Sequence, residues 1–124
     1  VSQLPANEPP AASEISLREG ETCFGPLEAI PLGEGRAFAL GERTLAVFRT
    51  CDGSLYATQH NCPHAGAALT AGLLGAVNII CPQHGWKFNL RTGVCQHDPA
   101  YRIRTYPVRV EAGQIIVTLP ASYR

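Results

Sequence analysis

The chain has 124 residues, 45% apolar and 16% charged, which suits one domain around one hydrophobic core and argues against a disordered chain. Ten Lys and Arg balance ten Asp and Glu, so the clustered positive charge that displaces counterions from nucleic acid is missing and no nucleic-acid partner is expected. No uninterrupted apolar run is long enough to cross a bilayer, and residues 1–14 lack the charged start and apolar stretch of a secretory signal, so neither a membrane association nor a retained leader is expected.

Residues 1–14 (VSQLPANEPPAASE) are rich in Pro, Ala and Ser and read as a flexible N-terminal arm ahead of a single domain over 15–124. The sequence contains no Met, so its start is read as processed or engineered. From Ile15 onward short strands alternate with Gly turns. RAFALGERTLAVFRT (36–50) predicts two strands around Gly41-Glu42, with Phe38 and Leu40 on one face of the first. CDGSLYATQ (51–59) opens on Asp52-Gly53, a hairpin turn signal, and continues as a strand. AVNII (76–80) is a short strand leading into Cys81. TYPVRVEAGQIIVTLP (105–120) is the clearest hairpin: Val108 and Val110 alternate with Arg109 and Glu111, Ala112-Gly113 turns the chain, and Ile115, Val117 and Leu119 line one face. No segment sustains an i, i+3, i+4 apolar stripe, and 12 Gly with 10 Pro favour a turn-rich all-β body.

The five cysteines are an odd number, which fits a complete disulfide framework poorly and makes a reducing, cytoplasmic location the default. Two of them belong to a pattern: Cys62-Pro63-His64, then Cys81-Pro82-Gln83-His84 after sixteen intervening residues. Side chains two or three positions apart in a tight loop can turn toward one point. Two such loops then supply two soft thiolates and two borderline imidazoles. Zinc accepts this donor set as a tetrahedral site, which leaves a zinc-binding structural or interaction module as one reading. A [2Fe–2S] cluster with two Cys on one iron and two His on the other accepts it as well. Zinc fingers usually pair Cys with Cys and His with His, whereas each loop here carries one of each, which favours the cluster.

On these residues the sequence resembles the Rieske [2Fe–2S] family. Gly66, Gly72, His84-Gly85-Trp86-Lys87-Phe88, Arg91-Thr92-Gly93 and Asp98-Pro99-Ala100 sit where that family places similar residues, and the resemblance covers about 16–119. It implies an antiparallel β sandwich or barrel with a small cluster-binding subdomain of loops, about 60–101, and a third loop covering the two ligand loops. It further implies one cluster per chain, with Cys62 and Cys81 on the buried iron and His64 and His84 on the outer one, serving one-electron transfer. Neutral imidazoles in place of two thiolates favour the reduced state, so potentials of the family span roughly −150 to +300 mV against about −400 mV for all-Cys ferredoxins. Respiratory members carry two further cysteines where this chain has Ala67 and Gln83, and a Ser where it has Trp86. Fewer donors to the cluster imply the low end of the span, near or below about 0 mV.

HGWKFNLRTG (84–93), IRTYPVRVEAGQIIV (103–117) and IPLGEGRAFALGERTLAVFRTCDGSLYAT (30–58) look most like the small subunits of NAD(P)H-dependent nitrite reductases. That resemblance implies a large partner subunit with flavin, sirohaem and the nitrite site. The alternative is a free Rieske ferredoxin supplying an aromatic-ring dioxygenase and its reductase. No independent catalytic site is expected. Gly66 and Gly85 are expected to let backbone N–H groups approach the sulfides, and Pro63 and Pro82 to stiffen the loops. Trp86 and Phe88 are read as core or cluster-shielding aromatics. His60 reads as structural or surface, His97 as an exposed loop residue near the third loop, and Cys23, Cys51 and Cys95 as buried small residues or free thiols, with a Cys95 disulfide lacking a spacing argument.

Overall fold

The structure is a computed structural model that describes residues 16–64, 66–83 and 85–120; the arm expected over 1–14 lies outside the described residues. Ten strands follow in order: β1 (Glu21–Pro26), β2 (Glu34–Leu40), β3 (Arg43–Arg49), β4 (Leu55–Gln59), β5 (Leu73–Leu74), β6 (Asn78–Ile80), β7 (Lys87–Asn89), β8 (Thr105–Tyr106), β9 (Val108–Glu111) and β10 (Gln114–Thr118). Two single 3₁₀ turns, Leu27–Ala29 and Leu69–Ala71, are the only helical pieces among the described residues. All pairing between strands is antiparallel, in three sheets ordered β1-β10-β9, β2-β3-β4-β8 and β5-β6-β7.

The turns follow from local chemistry. β2 and β3 are joined by Gly41-Glu42 alone, with Leu40 opposite Arg43 and Gly41 at φ 62°. β9 and β10 turn on Ala112-Gly113, both in the left-handed region at φ 52° and 76°, as a two-residue hairpin with right-handed strand twist requires. The Asp52-Gly53 turn is wider than a two-residue hairpin, because Arg49 pairs with Leu55. There the Asp52 carboxylate accepts hydrogen bonds from the Thr50 hydroxyl and, at 3.0 Å, from the Ser54 N–H.

Strand β3 divides the interior. Leu45, Ala46, Val47 and Phe48 are each at most 1% exposed, so this strand is covered on both faces. Alternation then sends Leu45 and Val47 to one core and Ala46 and Phe48 to the other. The first core, remote from the cysteine loops, includes Ile30, Ala57, Tyr106, Ile115, Val117 and Leu119. The second joins Phe48 to Leu69, Ile79, Phe88, Leu90 and Ile103, and contains Cys62, Cys81 and Cys95. The sheet face expected from Ile115, Val117 and Leu119 is therefore present, and Ile116 on the opposite face is buried as well, because β10 is the central strand of its sheet. Val110 keeps its expected place and pairs with Ile115 but remains 44% exposed, since β9 is the edge of that sheet.

Gly72 is a site of close approach: a β-carbon there would overlap the Ile80 carbonyl oxygen, so only glycine lets the 3₁₀ turn lie against β6. Gly93 combines the same constraint, against the Ile103 carbonyl, with φ 80°.

Candidate metal centre

Three loops meet at the end of the β5-β6-β7 sheet. The first is closed at its base by backbone hydrogen bonds from Cys62 N–H to the Ala67 carbonyl (2.8 Å) and from Gly66 N–H to the Cys62 carbonyl (2.7 Å). The Asn61 side-chain amide adds a bond to the Gly66 carbonyl at 2.9 Å. The second loop is closed by Cys81 N–H donating to the Trp86 carbonyl at 2.7 Å, immediately before β7. In the third, the Asp98 carboxylate accepts from Ala100 N–H (3.0 Å), and its carbonyl from Tyr101 N–H (3.0 Å). Cys95 N–H then donates to the Tyr101 carbonyl at 3.1 Å, fixing Tyr101 beside the other loops.

These closures bring Cys62 and Cys81 together. Both are 2% exposed, and both are free thiols. Burial pushes the Cys81 thiol up; the neighbouring Cys62 acts in the same direction, and the Gln83 N–H donating to the Cys81 sulfur opposes them. Two free thiols buried in one core at the tip of two loops are a suitable soft donor pair for iron.

His64 lies on the exposed side of the first loop. Its ring stacks on the Trp86 indole, with centroids 3.8 Å apart and planes 8° apart, and meets Tyr101 edge-on at 5.8 Å. Tyr101 also stands edge-on to Trp86 at 5.1 Å. The described part of the constellation thus has two buried thiols beneath an exposed imidazole, a donor set that fits a cluster with one inner and one outer metal. His84, the fourth expected ligand, lies outside the described residues.

Several neighbouring expectations are corrected or sharpened. The Gly66 N–H donates to the Cys62 carbonyl, which closes the first loop. Phe88 is fully buried in the core beneath the loops, whereas Trp86 is half-buried and lies on His64. His60 is half-buried, its ring 3.4 Å from the Thr70 hydroxyl. His97 is exposed, with its ring 6.2 Å from Trp86. Cys95 is buried and free, Cys51 exposed and free, and Cys23 half-buried with its thiol 3.7 Å from the Gln114 side-chain oxygen. Sequence reasoning missed Tyr101. The Asp98-Pro99-Ala100 turn immediately before it was the available signal, because such a turn fixes where the next side chain goes.

Among the described residues no helix is long and apolar enough to cross a membrane. Residues 21–107 match the Rieske [2Fe-2S] domain family. The chain is 38% identical over 82 residues to a 4beta-methylsterol monooxygenase of Methylococcus capsulatus, covering 57% of this chain but 22% of that protein, so it spans about a fifth of that relative's length. It is 32% identical over 94 residues to the ferredoxin component of the naphthalene 1,2-dioxygenase system of Pseudomonas aeruginosa, covering 75% of this chain and 89% of the relative. Among solved structures, a candidate small subunit of an NADH-dependent nitrite reductase from Mycobacterium tuberculosis superimposes with a TM-score of 0.75 at 29% identity, over 82% of this chain and 96% of that one. The matched stretch takes in both cysteine loops and the covering loop, and the fold around them is the one expected from the loops' resemblance. The chain therefore belongs to the Rieske [2Fe–2S] domain family, electron-transfer domains built around one such cluster.

Proposed function

We propose that Cys62, His64, Cys81 and His84 hold the cluster and that the chain exchanges single electrons with a protein partner through its histidine side. The observation that carries the reading is the burial of the Cys62 and Cys81 thiols beneath an exposed His64. When bound, the cluster supplies a one-electron couple whose potential lies above that of all-Cys clusters. The chain's own residues do the rest. The buried thiols anchor the inner side, and the core around Phe88, Leu90 and Ile103 keeps water away from it. His64 offers an imidazole edge at the surface, where a partner's acceptor can come within tunnelling distance.

The partner we infer is the large, flavin- and sirohaem-bearing subunit of an NAD(P)H-dependent nitrite reductase. Support comes from the structural likeness to the mycobacterial small subunit over nearly its whole length. A second reading, a free ferredoxin serving a ring-hydroxylating dioxygenase, is favoured by the 32% identity to the naphthalene dioxygenase ferredoxin over 89% of that protein. A cytoplasmic setting fits both, since all five cysteines are free. The decisive assay adds the loaded chain to each purified system. The first reading expects nitrite-dependent NAD(P)H oxidation to rise with the nitrite reductase large subunit and no support of ring hydroxylation. Hydroxylation supported without any effect on nitrite reduction overturns it in favour of the second.

A further inference from the structure

His64 sits on a loop closed by the backbone hydrogen bond between Gly66 N–H and the Cys62 carbonyl. Two aromatic rings meet the imidazole: Trp86 lies parallel to it at 3.8 Å and 8°, and Tyr101 abuts it at 86°. Trp86 belongs to the other cysteine loop, where its carbonyl accepts the Cys81 N–H at 2.7 Å. One residue therefore touches both halves of the site, the main chain beside Cys81 and the ring of His64. Its own ring is held in turn, because Tyr101 stands edge-on to it at 80° and is fixed by hydrogen bonds from its N–H to Asp98 and to its carbonyl from Cys95.

We propose that Trp86 is a positioning residue for the cluster: its indole, braced by Tyr101, sets the plane of the His64 imidazole and ties the first cysteine loop to the second. An exposed histidine otherwise samples several rotamers, and a ligand that must be ordered on binding holds metal less well. Neighbours that orient a metal-bound imidazole commonly change metal affinity 10- to 100-fold when removed. A flat ring is needed for this, not mere bulk, since only a flat face stacks on imidazole across its whole area. Phe, Tyr or His at position 86 preserves the function, and Leu does not.

The inference rests on His64 being a ligand, and the test separates the two claims. Three proteins are prepared with cluster loaded: the parent, Trp86→Phe and Trp86→Leu. Each is reduced with dithionite for electron paramagnetic resonance, and each is exposed to a chelator while the visible absorbance of the cluster is followed. A parent spectrum without the rhombic signature of mixed nitrogen and sulfur ligation removes the ligand reading, and the inference with it. Given a rhombic parent, we expect Trp86→Leu to broaden or shift the spectrum and to lose cluster about tenfold faster or more, with Trp86→Phe close to the parent in both. Failure of Trp86→Leu to load while Trp86→Phe loads supports the same conclusion. A Trp86→Leu spectrum and chelation rate matching the parent overturn the inference while leaving the ligand reading intact. Equal damage by Phe and Leu overturns it too, because the ring would then have no special part. Tyr101→Leu provides a second route: a spectrum shifted in the same sense as that of Trp86→Leu supports the bracing, and an unchanged one removes Tyr101 from the proposal.

Discussion

Two isoleucines allow the divided interior to be tested with the same chemistry on either side. Ile79 on β6 is 1% exposed and packs in the core that contains Cys62 and Cys81. Ile115 on β10 is fully buried in the other core. Ile→Val removes one methylene from each, worth about 0.8 kcal/mol in transfer alone, and about 0.5–1.5 kcal/mol once partial relaxation of the cavity is included. Because neither residue reaches solvent, the whole effect applies at both positions. For a chain of 124 residues that corresponds to a fall of about 2–6 °C in Tm. Scans of the loaded protein at one fixed rate are the suitable assay, since cluster loss makes unfolding irreversible. Both variants are expected to fall by similar amounts. They differ in the folded protein well below Tm: Ile79→Val releases its cluster to a chelator faster than the parent, and Ile115→Val does so at the parental rate. Equal acceleration by both would refute the idea that β3 separates the site's core from the rest.

Cys62→Ser or Cys81→Ser is expected to abolish the visible absorbance of the cluster and to lower the thermal stability of what remains, measured by metal analysis and circular dichroism. Gly72→Ala is expected to reduce Tm more than Gly113→Ala, because the new methyl at 72 meets the Ile80 carbonyl while position 113 is open and only its φ is unfavourable. The Arg109 guanidinium grips both oxygens of Glu21, at 2.8 Å each, and with the Arg18 N–H holds that carboxyl down at about 2 against an ordinary 4.5. The stabilisation is therefore complete above the ordinary value of 4.5 and disappears as pH falls toward 2; Glu21→Gln is expected to flatten the acid limb of Tm against pH. Redox titration is expected to give a potential near or below about 0 mV, low in the family span; a value clearly high in that span would contradict the reading of few donors to the cluster.

The sequence disclosed turns better than packing. Gly41-Glu42 and Ala112-Gly113 were readable as turns because each supplies a glycine, Gly41 or Gly113, for the positive φ that a tight hairpin demands. The Cys-x-His and Cys-x-x-His pairs were readable because donor type and spacing are themselves the chemistry. Strand β3 was predicted as a strand without its two-sided burial, although the unbroken apolar run Leu45-Ala46-Val47-Phe48 is the pattern of a strand covered on both faces. A continuous apolar run shows burial, and which core each side chain joins depends on the sheets that close over it. Val110 illustrates the converse. Its place in the alternation was right, and its exposure follows from β9 lying at a sheet edge, a property of strand order that local pattern does not encode. The aromatic contacts of His64 were hidden for a similar reason, since Trp86 and Tyr101 reach it from two different loops.

Electron paramagnetic resonance of the dithionite-reduced protein, with iron and acid-labile sulfide counted on the same sample, tests the central claim most directly. Ligation by two thiolates and two imidazoles predicts a rhombic spectrum of low average g, with about two irons and two sulfides per chain. A colourless preparation holding a single zinc, or a spectrum typical of an all-cysteine cluster, would contradict it.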